Sequence, residues 1–89
     1  MSNNEETLLE FPCEFSIKTM GKSDPHFEKE VTEIVLKHVP DLYDGAVSSR
    51  PSKGGKWIAV TITITATSKA QLDAIYIDLS SFNKVVMSL

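Results

Sequence analysis

The sequence of 89 residues predicts an α+β sandwich, one antiparallel sheet covered by helices on a single side. Three observations predict it. The run Trp57-Ile58-Ala59-Val60-Thr61-Ile62-Thr63-Ile64-Thr65-Ala66-Thr67 sets Ile58, Val60, Ile62 and Ile64 on one side and Thr61, Thr63 and Thr65 on the other, so it is a long strand with one buried face. Two other segments carry apolar residues at helical spacing. Shorter strand-like stretches precede and follow them, in the order βαββαβ.

The first strand runs from about Glu14 to Met20, with Phe15 and Ile17 facing in and Ser16 and Lys18 facing out; Gly21 ends it. Asp24 followed by Pro25 reads as an N-cap with proline at the first helical position, where its missing N–H costs nothing. From there Phe27, Val31, Ile34, Val35 and His38 fall on one helical face, and Pro40 stops the helix. Glu28, Glu30 and Glu33 near its start and Lys37 near its end complement the helix dipole. Residues 41–45 form a loop, and Ala46 to about Ser52 is a weaker strand whose Pro51 places it at a sheet edge, because proline cannot donate to a ladder. Lys53-Gly54-Gly55-Lys56 is expected to be a tight hairpin turn, the glycines supplying the positive φ of a primed turn. Ser68-Lys69-Ala70-Gln71 is a capping box, and Leu72, Ile75, Tyr76 and Leu79 form the inward stripe of a second helix. Phe82 to Leu89 closes the chain as a short strand with Val85, Met87 and Leu89 expected inward.

Two right-handed crossovers joined by a hairpin give a ferredoxin-like sandwich, a four-stranded antiparallel sheet with both helices on one face. Its expected core is Phe15, Ile17, Phe27, Val31, Ile34, Val35, Ile58, Val60, Ile62, Ile64, Leu72, Ile75, Leu79, Val85 and Met87. Residues 8–89 are expected to form this one domain behind a disordered polar tail, residues 1–7, with Leu8-Leu9-Glu10-Phe11-Pro12 packed on the domain as a lead-in.

Composition narrows the function. Apolar residues make up 42% and charged residues 24%, an ordinary balance for a globular domain, and no apolar run approaches the ~20 residues that cross a bilayer. The acidic start Met1-Ser2-Asn3-Asn4-Glu5-Glu6 is unlike a secretory signal, and Cys13 is the single cysteine, so a cytoplasmic location and no internal disulfide are expected. A net charge of −3 argues against nucleic acid unless a local basic patch overrides it.

Several segments resemble the YbeD-like family of small bacterial proteins of unknown function: Leu8-Leu9-Glu10-Phe11-Pro12, Met20-Gly21, Ser52-Lys53-Gly54, the Val60–Thr67 strand and the ending Val85-Val86-Met87-Ser88-Leu89. The resemblance implies a fold similar to ACT domains, the small-molecule-sensing modules attached to amino-acid metabolic enzymes. It departs at the hairpin, where Gly55 stands in a position that is asparagine in relatives, so no role of that asparagine carries over.

Most chemistries that use this fold lack their residues here. Metal transfer needs paired cysteines in the loop after the first strand, which instead reads Met20-Gly21-Lys22-Ser23-Asp24. Acyl-phosphate hydrolysis needs an arginine there, and Lys22 is the loop's cation. His38 belongs to the apolar helix stripe, His26 to a solvated first turn, and Cys13 reads as a half-buried small apolar residue, so neither nucleophilic nor paired-carboxylate catalysis is legible. No enzymatic activity and no cofactor or metal are expected. RNA recognition needs aromatics on the open sheet face, which offers Ser16, Lys18, Ala59, Thr61, Thr63 and Thr65, with Trp57 only at one end.

Two candidate ligand sites remain. One is the loop with Met20, Gly21, Lys22 and Ser23, which opens on a helix N-terminus whose free N–H groups can hold an anion; the resemblance to ACT-like modules implies effector binding in the same loop. Its plainer role is to end a strand. The other is the hairpin, where Arg50, Lys53, Gly54, Lys56 and Trp57 can seat an anion or a partner; its plainer role is a solvated turn whose lysines keep the sheet edge from aggregating. These features describe a regulatory or interaction module for a small effector or a protein partner, able to pair with a second copy by edge or face. The competing reading is a binder of nucleic acid or a phosphorylated ligand through residues 48–57.

Overall fold

The computed structural model describes residues 10–89, so the expected tail and Leu8-Leu9 lie outside the described residues. The elements are β1 (Cys13–Lys22), α1 (Phe27–Leu36), β2 (Val47–Pro51), β3 (Trp57–Ala66), α2 (Lys69–Ser81) and β4 (Val85–Ser88). One antiparallel sheet has the order β2-β3-β1-β4, the ferredoxin-like topology that the sequence predicts.

β1 and β3 pair without interruption from Cys13 opposite Ala66 to Lys22 opposite Trp57. This register stacks Ile17 on Ile62 and Phe15 beside Ile64 on the inner face, where Phe27, Val31 and Val35 of α1 and Leu72, Ile75 and Leu79 of α2 close the core. Phe15, Ile34, Ile58 and Val85 pack around that core half-buried. Val39 joins it from beyond α1, because its N–H still bonds to the Val35 carbonyl (2.9 Å) and so keeps the helical phase. Thr19 is fully buried, and its hydroxyl meets the Ser88 hydroxyl at 3.3 Å.

Local chemistry adjusts several predicted boundaries. α1 starts at Phe27, two residues later than Asp24-Pro25 suggests: the Asp24 carboxylate accepts the His26 N–H (2.7 Å) and its carbonyl accepts the Phe27 N–H (3.0 Å), a turn with proline at its second position. The predicted cap of α2 is present, with Ser68 Oγ accepting the Gln71 N–H at 3.0 Å. The Gln71 side chain reaches back one residue further than the usual capping box, to the Thr67 N–H (2.8 Å). The hairpin is a four-residue loop instead of a primed two-residue turn. Gly55 donates to the Ser52 carbonyl (2.8 Å) with Gly54 at φ 92° and Gly55 at φ 74°, while Lys53 keeps a negative φ.

Two findings overturn the reading of the sheet's other end. β1 does not stop at Gly21, which is buried in the strand opposite Ile58. A Cβ there would lie 2.5 Å from the Lys84 carbonyl oxygen and 2.6 Å from the Phe27 ring, so this glycine is needed for a close approach of ring and backbone. And β4 does not turn Met87 and Leu89 inward. Met20 faces Met87 but Gly21 faces Val85, so Val86 is an extra residue, a β-bulge that reverses the alternation. Val85 packs on the core while Met87 is 48% and Leu89 66% exposed.

Gly21→Ala is expected to lower stability by about 1–3 kcal/mol through overpacking. A urea melt checks this, and an unchanged midpoint would contradict the packing described.

Candidate functional site

Among the described residues both helices lie on the inner face of the sheet, and the residues of the outer face follow from the register. One cross-strand row reads Arg50, Ala59, Met20, Met87. The next reads Ser48, Thr61, Lys18 and then Leu89, whose backbone exchanges two hydrogen bonds with Lys18 (2.7 and 3.2 Å). Trp57 and Lys22 pair at the hairpin end, and Ser16 and Thr63 at the other, their hydroxyls 3.2 Å apart. The result is an apolar patch of Ala59, Met20 and Met87, continued by Leu89 at the β4 edge, with Arg50 on the β2 side, Lys18 and Lys22 on β1 to either side of Met20, and Glu14 further along β1 on the same face.

The two candidate sites of the sequence converge here. The Ser23 N–H donates to the Lys56 carbonyl (3.0 Å), tying the β1–α1 loop to the hairpin, and Lys22 and Trp57 are cross-strand neighbours. Beside them Trp57, Val86, Asn83 and Lys84 border a groove of about 530 Å³, and Lys18, Arg50 and Ala59 border another of about 410 Å³. Met20 and Arg50 belong to the central row, while Lys53 and Gly54 lie at the exposed hairpin tip. Gly21 sits on the opposite face, with its open side filled by Phe27. At the start of α1 the Asp24 carboxylate itself occupies the position considered for an anion. Val86, Met87 and Leu89 are the residues that sequence reasoning missed; Met87 and Leu89 face outward only because of the bulge, which leaves no compositional trace.

The ion pairs among the described residues join helices and loops. On the helix side Lys84 bridges Asp24 (3.1 Å) and Glu30 (2.8 Å), Lys37 meets Asp78 (3.6 Å), and Lys69 meets Asp73 (2.9 Å). His38, expected on the helix stripe, bonds Asp78 at 2.7 Å and so links the C-terminal turn of α1 to α2. Lys18, Lys22, Arg50, Lys53 and Lys56 form no ion pair among the described residues; they are more than half of the nine lysines and arginines. The described residues contain no group of three metal-ligating side chains and no helix long and apolar enough to cross a membrane.

The shifted acids and bases belong to the helix-side network. The His26 N–H, then Lys84, holds Asp24 below the usual carboxylate value of 3.8, and His38, then Lys37, does the same for Asp78. Glu30, then Asp24, raises Lys84 above its usual 10.5, and burial raises Tyr76, whose hydroxyl donates to the Leu89 carbonyl at 2.7 Å.

Fold and face together define a small α/β sandwich protein with one sheet surface that neither described helix covers. The chain belongs to the family described as "Protein of unknown function (DUF493)", which it matches over residues 6–89. It is 45% identical over 89 residues to a UPF0250 protein of Chromobacterium violaceum, covering 100% of each chain. It is 44% identical over 85 residues to one of Nitrosomonas europaea, covering 96% of this chain and 98% of that one. Its fold matches the solution structure of protein HP0495 from H. pylori with a TM-score of 0.68 at 15% identity, over 91% of this chain and 85% of the other. The resemblance to the YbeD-like family therefore holds.

A pH prediction follows from Asp24. A carboxylate with a lowered folded pKa adds stability above its unfolded value, near 3.8, and loses it as pH falls through the folded pKa. Asp24→Asn should thus melt below the parent at pH 7, with the gap closing in strong acid. Thermal melts across pH check this; a gap that persists below the folded pKa would contradict it.

Proposed function

We propose that the protein is a non-catalytic interaction module of the bacterial cytoplasm that binds a protein partner through the outer face of its sheet and regulates it. The observation that carries this reading is the outer face itself, an apolar patch flanked by Lys18, Lys22 and Arg50, which have no ion pair among the described residues. That is the anatomy of a binding surface, with a desolvated middle and a polar margin. The lone cysteine Cys13, half-buried opposite Ala66, fits a reducing compartment. The absence of catalysis is supported by where the shifted groups lie: Asp24, Asp78 and Lys84 serve ion pairs that join loops and helices, and their partners account for each shift.

A small effector in the groove beside Trp57 is compatible with the same module. The cluster of Lys22, Lys53 and Lys56 around the hairpin favours a second reading, in which this end of the sheet holds nucleic acid or a phosphorylated ligand. Face-to-face pairing of two copies is opposed by the charge of Lys18, Lys22 and Arg50, which would meet their own kind.

Affinity capture from a bacterium that encodes a DUF493 protein tests the proposal. Capture should fail with Ala59→Glu, at the centre of the face, and persist with Glu33→Lys on α1. A partner held equally by the Ala59→Glu protein would overturn the assignment of the face.

A further inference from the structure

We infer that the occupant of the outer face is an acidic amphipathic segment of another protein, one whose apolar side chains lie on Met20, Met87 and Leu89 while its carboxylates reach Lys18, Lys22 and Arg50. The inference rests on the outer-face reading above and names the chemistry of its partner. Three observations lead to it.

The first is charge. Lys37, Lys69 and Lys84 have carboxylate partners and Lys29 stands alone on α1, whereas Lys18, Lys22 and Arg50 share one sheet face and have no ion pair among the described residues. Like charges close together on one sheet face repel, and an anionic partner relieves that repulsion and steers its own approach. The protein's net charge is −3, yet the paired strand positions of this face hold Lys18, Lys22 and Arg50 against the single carboxylate of Glu14, which lies two cross-strand rows beyond Lys18.

The second is the apolar centre. Met20 and Met87 are cross-strand neighbours with Leu89 in the adjoining row. Met87 and Leu89 are 48% and 66% exposed, and methionine's flexible thioether adapts to a partner's side chains. A purely ionic ligand gains nothing from covering these groups. A segment with an apolar stripe does.

The third decides between acidic protein and nucleic acid. Single-stranded nucleic acid binds by stacking bases on aromatics along a basic groove. Around this centre the cross-strand neighbours are alanine, threonine, serine and methionine, and Trp57 stands at the hairpin end. Phosphates drawn to the rim would leave the methionine and leucine side chains uncovered.

Trp57 is the only tryptophan of the chain, so its emission reports on the face. The probe is a synthetic peptide with leucine at helical spacing and glutamate elsewhere. Titration of the full chain should give a saturable emission change that weakens with added salt. Binding should fall by about tenfold or more when Lys18→Glu is combined with Arg50→Glu, and remain unchanged in Lys29→Glu on α1. Circular dichroism verifies folding, and Lys18→Gln with Arg50→Gln provides a milder pair, which should weaken binding in the same direction. Absence of binding, or equal loss in Lys29→Glu, would overturn the inference. So would tighter binding of a single-stranded oligonucleotide than of the peptide, or self-association in sedimentation that excludes the peptide. A peptide with glutamine in place of glutamate that binds equally well would overturn the acidic requirement alone and leave the outer-face module standing.

Discussion

The Phe27 ring lies against Gly21, and the surface on the far side of the sheet depends on that contact. With no Cβ at Gly21, the first residue of α1 can press its ring onto β1 while the Lys84 carbonyl comes equally close from the α2–β4 turn. Phe82 stacks on the same ring, with centroids 6.4 Å apart and planes 11° from parallel, so the end of α2 is held there as well. The turn that follows, closed by the Val85 N–H on the Phe82 carbonyl (2.9 Å), delivers Val85 to the core opposite Gly21. Val86 is then skipped in the register, and Met87 and Leu89 emerge on the outer face. A tight inner contact and an apolar outer patch are thus two sides of one arrangement.

The ion pairs have a different task from the core. Exposed pairs such as Lys69–Asp73 are worth little individually, as solvent and salt screen them. Their effect is on charge distribution: they pair Lys37, Lys69 and Lys84 with neighbouring carboxylates, while Lys29 on α1 and the cations of the sheet face have no ion pair among the described residues. Ser49 Oγ bonds to the Glu28 carboxylate, so even at the β2 edge an acid of α1 is engaged by the sheet. A molecule acidic overall therefore gathers Lys18, Lys22 and Arg50 on one sheet face, with Glu14 at its far end.

Much of this was legible in the sequence. Ile and Thr alternation identified β3 and its two faces, the serine cap located α2, and Pro51 marked the edge strand, because each of these is a local matter of backbone and neighbour. The apolar stripes of both helices were likewise readable from spacing alone. What escaped was non-local. Gly21 looked like a strand terminator because glycine often is one, and its true reason, the ring of Phe27, exists only in the folded chain. Unbroken alternation from Val85 would place Met87 and Leu89 inside, and a single extra residue sends every later side chain to the other face. Met20, Lys22 and Trp57 were recognised as candidates in two separate segments. That they share one surface with Met87 and Leu89 is a consequence of the strand order and the bulge.

The most direct test of this account is the solvent exposure of the β4 methyl groups in solution, measured by NMR line broadening with a soluble paramagnetic agent. The Met20, Met87 and Leu89 methyls should broaden together, while those of Val60, Ile62 and Val85 stay comparatively sharp. Sheltered Met87 and Leu89 methyls would contradict it, since an unbroken alternation would then carry them into the core and leave the outer face without its apolar centre.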